Sequence, residues 1–189
     1  MIVYLHGFCS SPGSGKARRL GQYMAEKGLA NQFWCEQLPV SATAAMALVD
    51  GVIARCEALP TLVGSSLGGF YATYLAEKHG LKAALINPVV LSSLDPGLFL
   101  GPQHNFHSGE AFEFTESHIA ELRALEVPAI TRPERYWLLA ETGDEVLDCR
   151  AAVSYYAGAR QTVLHGGDHG FTRFEDYLDG LLAFAALRP

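Results

Sequence analysis

Short apolar runs alternate along this chain with longer segments of helical period, and that rhythm restricts the fold more than any other feature. Repeated strand and crossover-helix units demand a mostly parallel sheet with helices on both faces. Six strands are expected, at residues 2–5, 33–38, 61–64, 83–86, 136–140 and 162–164. The intervening helices have readable ends. Ser41 is the expected N-cap of a helix that turns Ala45, Val49, Val52, Ile53 and Cys56 inward, and Gly28 and Gly80 stand where C-caps belong. A last helix is expected to open at Thr172, with Glu175 completing a capping box, and to bury Phe174, Leu178, Leu181, Leu182 and Ala185.

The chain has 189 residues, which at roughly 150 residues per domain predicts a single domain over 1–189. An apolar fraction of 49% with 18% charged residues excludes global disorder and coiled coil. Fourteen Lys and Arg against twenty Asp and Glu leave a net charge of −6, so nothing draws the chain to a nucleic-acid backbone. No apolar run nears the roughly 20 residues of a membrane span. The first residues read as a strand and not as a signal peptide. Cys9, Cys35, Cys56 and Cys149 are widely spaced without a C-x-x-C, which predicts free thiols in a reducing compartment, the cytoplasm.

One stretch breaks the rhythm. Between the fourth and fifth strands, residues 88–134 far exceed an ordinary crossover. The first half is rich in Gly, Pro and Phe, and the second, from Thr115 to Leu125, carries helical spacing at Ile119, Leu122 and Leu125. It is expected to be a surface excursion packed by its own aromatics or a small lid over a cleft.

Gly64-Ser65-Ser66-Leu67-Gly68 lies between the third strand and a helix with Leu67, Tyr71, Tyr74 and Leu75 on its packed side. This is the context a G-x-S-x-G nucleophile needs, because the sharp strand-to-helix turn exposes the central serine where a helix N-terminus favours negative charge. Ser66 is the candidate; Ser65 lacks a glycine two residues before it. A serine needs a base, and the base a carboxylate to orient it. His169 follows the sixth strand and Asp144 the fifth, so the order is Ser, Asp, His. All three then sit beyond strand C-termini, where open α/β sheets bind ligands. His165 is a rival base, and Glu141, Glu145 and Asp148 are rival acids. Two N–H donors for an oxyanion are expected from Leu67, after the nucleophile, and from Phe8, after the first strand, with Gly7 allowing close approach.

These segments resemble the α/β-hydrolases and, within them, the small YqiA-like esterases. The likeness runs through an N-terminal YLHGF with SSP shortly after it, GSSLGG, TGDEVLD, and GGDHGF followed by FEDYL. It implies a minimal hydrolase core without the usual leading antiparallel hairpin, with six parallel strands in the order 2-1-3-4-5-6. It also implies a Ser66-Asp144-His169 triad acting on acyl esters or thioesters. No cofactor is expected. Substrate does not carry over, because such enzymes resemble each other least in the insertion.

Other readings fail on details. Gly13-Ser14-Gly15-Lys16 suggests a phosphate loop, but Ser10 and Ala17 stand where its first glycine and its hydroxyl residue belong, so a loop before a helix is expected. Neither His165, Asp168 and His169 nor His104 and His107 make a metal-ligand set at a recognised spacing. The reading from a different class is a non-catalytic module on the same scaffold that binds a small molecule or a protein, since a fold does not guarantee chemistry.

Overall fold

Side chains along β1 (Ile2–Leu5) alternate between the two faces of the sheet, with Ile2 and Tyr4 entering one apolar cluster and Val3 and Leu5 the other. All four are buried, as a strand covered by helices on both sides requires. The computed structural model describes residues 1–188. The remaining strands follow as β2 (Phe33–Trp34), β3 (Thr61–Ser65), β4 (Lys82–Ile86), β5 (Gly101–His104), β6 (Ala111–Phe114), β7 (Tyr136–Glu141) and β8 (Arg160–Leu164). Six of them form one parallel sheet in the order β2-β1-β3-β4-β7-β8, while β5 and β6 pair antiparallel with each other. Counted along the chain without that hairpin, the sheet has the expected order 2-1-3-4-5-6.

The helices are α1 (Gly15–Glu26), α2 (Ala42–Ala54), α3 (Leu67–His79), α4 (Glu116–Ala124), α5 (Cys149–Tyr155) and α6 (Leu178–Phe184). Helices α1 and α6 cover one face, packing Leu20, Met24, Leu178 and Leu181 around Trp137 and Val63. Helices α2, α3 and α5 cover the other. Ser41 caps α2 as expected, its Oγ accepting the Ala44 N–H at 3.1 Å. Gly80 ends α3 with φ of +71°, a left-handed turn that glycine adopts without steric cost. No helix among the described residues is long and apolar enough to cross a membrane.

Three local expectations change. The second strand stops at Trp34, because beyond it the chain leaves the sheet edge for the loop after β1: the Leu38 N–H donates to His6 Nε2 at 3.0 Å and Gln37 Nε2 to the Ser10 carbonyl at 3.1 Å. The last helix has no capping box at Thr172. Residues Phe174–Tyr177 form a tight 3₁₀ turn before α6, and the Glu175 carboxylate instead accepts from Arg19 Nε at 3.0 Å. The Phe-rich half of the insertion contains the β5–β6 hairpin, which the sequence pattern did not reveal.

Candidate active site

Steric need explains the glycines around Ser66. A Cβ on Gly68 would stand 1.9 Å from the Leu5 carbonyl oxygen, and one on Gly64 would stand 2.2 Å from the Gly68 carbonyl oxygen. Strand β3 and helix α3 therefore cross β1 at a distance only glycine permits. Between them Ser66 adopts φ 56° and ψ −121°, a conformation that costs an L-residue on the order of 1–3 kcal/mol. Hydrogen bonds hold it there: its N–H donates to the Ile86 carbonyl at 3.0 Å, and its carbonyl accepts from Gly69 at 2.9 Å and Val89 at 3.1 Å.

The loops after β7 and β8 meet above this turn. A Cβ on Gly143 would lie 2.4 Å from the Gly167 carbonyl oxygen, so this crossing too needs a bare α-carbon. It delivers His169 Nε2 to 3.0 Å from Ser66 Oγ. On the other side of the ring, His169 Nδ1 lies 2.8 Å from Asp144 Oδ2. The Asp144 side chain is 2% exposed, and its Oδ1 also accepts the N–H groups of Val146 at 2.9 Å and Leu147 at 2.8 Å. Burial by itself would raise the Asp144 carboxyl. The bonds from His169, Leu147 and Val146 outweigh burial and hold it below the ordinary carboxylate range.

The rivals have other tasks. Glu141 is fully buried; it accepts from Arg173 Nε at 2.7 Å and from the Asp168 N–H at 2.9 Å, and does not touch the imidazole. Glu145 accepts the backbone N–H of His169 at 3.0 Å. Asp148 is the N-cap of α5, accepting the Arg150 N–H at 2.9 Å. His165 faces Thr142, with Nδ1 at 3.4 Å from Oγ1, and Ser65 is buried as the last residue of β3. Lys16, in the glycine-flanked loop, donates to the Gly170 carbonyl and sits at the start of α1. Among the described residues no three His, Cys, Asp or Glu gather in a group that could hold a metal ion.

Phe8 and Leu67 flank Ser66, and among the described residues neither backbone N–H has an acceptor. A Cβ on the intervening Gly7 would reach within 3.7 Å of Ser66 Oγ, so the missing side chain leaves the approach open. The Phe8 ring makes edge contacts with three phenylalanines of the insertion, Phe99 at 5.8 Å, Phe112 at 5.9 Å and Phe114 at 5.0 Å between centroids. The insertion is bonded to the same loop through Phe106 N–H to the Cys9 carbonyl and Asn105 Nδ2 to the Ser10 carbonyl, both at 2.8 Å. Over Ser66 and His169 lies a cavity of about 260 Å³, walled by apolar side chains that include Leu91, Leu94, Phe99, Phe114, Leu122 and Leu147.

A family model described as the uncharacterised protein family UPF0227 matches residues 1–186. The chain belongs to that family. Solved structures similar to this UPF0227 chain share the α/β-hydrolase fold. Alpha/beta hydrolase domain-containing protein 10 from mouse has a TM-score of 0.72 at 16% identity, over 95% of this chain and 87% of that one. A monoacylglycerol lipase from Paleococcus ferrophilus has a TM-score of 0.67 at 15% identity, over 97% and 94%. A structure described with LipS and LipT, two metagenome-derived lipolytic enzymes, has a TM-score of 0.69 at 18% identity, over 98% and 92%.

The sequence reading missed two residues of this UPF0227 chain. Asn87 is buried beside the site with φ of 40°; its amide donates to the Asp168 carbonyl at 3.0 Å and the His169 carbonyl at 3.1 Å, and its oxygen accepts the Glu141 N–H at 3.0 Å. An Asn-Pro pair signals a turn, but no spacing rule connects it to a loop far along the chain. His6 is buried, donating from Nδ1 to the Gly7 carbonyl and accepting the Leu38 N–H at Nε2, both at 3.0 Å. Burial lowers its pKa and favours the neutral ring.

Proposed function

We propose that this protein is a serine hydrolase that cleaves carboxylic esters or thioesters of acyl substrates through an acyl-enzyme intermediate. Ser66 Oγ attacks the carbonyl carbon while His169 Nε2 takes its proton. Asp144 accepts from Nδ1–H, keeps the ring in the required tautomer and stabilises the imidazolium. The negative charge on the former carbonyl oxygen is met by the N–H groups of Phe8 and Leu67. Collapse breaks the bond to the leaving oxygen or sulfur, which receives the proton from His169. Water, deprotonated by the same imidazole, then attacks the acyl-enzyme and frees Ser66 and the carboxylic acid.

The hydrogen-bonded chain Ser66–His169–Asp144 at the floor of an apolar cavity carries this reading. A fluorophosphonate probe and a panel of acyl esters and thioesters of graded length test it. The expected result is labelling at Ser66 and turnover of at least one panel member. A protein that is neither labelled nor active on any of them is the non-catalytic binding module instead.

A further inference from the structure

A second cavity, of about 340 Å³, lies on the other side of Phe8 and Leu67, which line both. Gly7 also lines it, and a Cβ there would stand 3.7 Å from Ser66 Oγ, so this space adjoins the turn that carries Ser66. Its chemistry differs from that of the apolar cavity. Tyr71, 3% exposed, is among its walls, and the Tyr71 hydroxyl has no hydrogen-bond partner among the described residues. Burial, with Glu121 nearby, raises the Tyr71 pKa, so the hydroxyl keeps its proton and remains a donor as well as an acceptor. A hydroxyl on a cavity wall with no partner in the protein is free to bond a group that enters the cavity.

The other polar walls divide in two. The His6 and Asn105 side chains are committed, His6 to Gly7 and Leu38, and Asn105 to Ser10, His107 and Ser108. Gln37 spends its amide nitrogen on the Ser10 and Leu38 carbonyls, which leaves its oxygen as an acceptor, and the Glu110 carboxylate stands exposed at the rim. No Lys or Arg is among the lining residues. The walls therefore offer hydrogen-bond acceptors and the hydroxyl residues Ser10 and Tyr71, a carboxylate repels an anionic group, and no Lys or Arg is present to receive one.

We propose that this cavity binds the uncharged, hydroxyl-rich arm of an ester whose other arm is apolar, with the Tyr71 hydroxyl bonded to one hydroxyl of that arm. The assignment rests on the hydrolase reading above and names the substrate class for the same site. Hydroxyl-rich chemistry can come from either half of an ester, so the substrates must separate the alcohol from the acyl source.

The experiment compares kcat/KM of the full chain for glycerol mono-octanoate, octyl glycerate, ethyl octanoate and the phosphorylated form of glycerol mono-octanoate. One of the two hydroxylated esters is expected to exceed ethyl octanoate by about tenfold, the size one hydrogen bond supports, and the one that does names the half. Tyr71→Phe, which removes one oxygen and keeps the ring, should lower that ratio by about tenfold. The phosphorylated ester should be the poorer substrate than its uncharged parent, and Glu110→Lys should narrow that gap. A ratio unchanged in Tyr71→Phe, or a preference for the phosphorylated ester, overturns the subsite. Labelling of Ser66 by fluorophosphonate without any hydroxyl preference overturns the subsite alone, whereas no labelling and no hydrolysis of any of the four esters overturns the hydrolase reading.

Discussion

Asn87 and His169 are joined across the sheet edge, the Asn87 amide donating to the His169 carbonyl at 3.1 Å. The same side chain also accepts the Glu141 N–H and donates to the Asp168 carbonyl, so one buried amide ties the end of β4 to the end of β7 and to the histidine loop. Asn87→Ala leaves these groups unpaired in a buried place. It should lower stability by about 1–3 kcal/mol and reduce kcat through displacement of the imidazole, as denaturant titration and steady-state kinetics will show. Stability equal to wild type would mean that solvent replaces the amide.

Ser66→Ala removes the proposed nucleophile and leaves the hydrogen bonds of the turn's backbone in place. Ester turnover should fall by about 10⁴ to 10⁶ with an unchanged circular dichroism spectrum. More than about a tenth of wild-type activity would rule out Ser66 as the attacking group.

The four carboxylates at the end of β7 and in the segment after it separate by what each touches. Asp144→Asn, which favours the wrong imidazole tautomer, should cost on the order of 10³ to 10⁴ in kcat. Glu145→Gln and Asp148→Asn should each cost less than about tenfold, because neither side chain meets the ring. If Asp148→Asn were the crippling change, the third member of the triad would have been misassigned.

Glu141 is fully buried and its cation is Arg173, at 2.7 Å. Arg173→Ala strands a carboxylate with the Asp168 N–H as its remaining donor, and should destabilise the fold by about 3 kcal/mol, measured by urea unfolding. Replacing both residues with apolar ones should cost less than Arg173→Ala alone, since a buried charge without its partner is the expensive state.

Acid stability has a contributor far from the nucleophile. Burial works to raise the Glu77 carboxyl, but bonds from the Thr131 hydroxyl and N–H and from the Tyr136 hydroxyl prevail and lower its pKa. A carboxyl lowered on folding contributes stability above its unfolded value, about 4.3, and that contribution is lost as pH falls through the folded value. Stability against pH should therefore drop more steeply on the acid side for wild type than for Glu77→Gln. Parallel curves would place the acid sensitivity elsewhere.

The sheet order and the position of Ser66 were legible because both depend on local signals. Apolar runs bounded by turns mark buried parallel strands, and Gly64 and Gly68 mark a close crossing. The end of the second strand was not legible: nothing in Cys35-Glu36-Gln37-Leu38 marks a turn, but the Leu38 N–H is drawn away by His6, a partner 32 positions distant. The β5–β6 hairpin stayed hidden for a related reason, since its Phe side chains are placed by packing on Phe8.

The sequence by itself determined which residue types stand at the ends of the strands, and hence that a serine, an aspartate and a histidine arrive at one edge of the sheet. Only the tertiary structure decided which of Asp144, Glu141, Glu145 and Asp148 meets the His169 imidazole, where the loops after β7 and β8 pass closely at Gly143 and Gly167. Residue type and strand position are inherited from neighbours along the chain. The direction of a side chain within a loop depends on groups brought together from distant segments, and no local pattern encodes it.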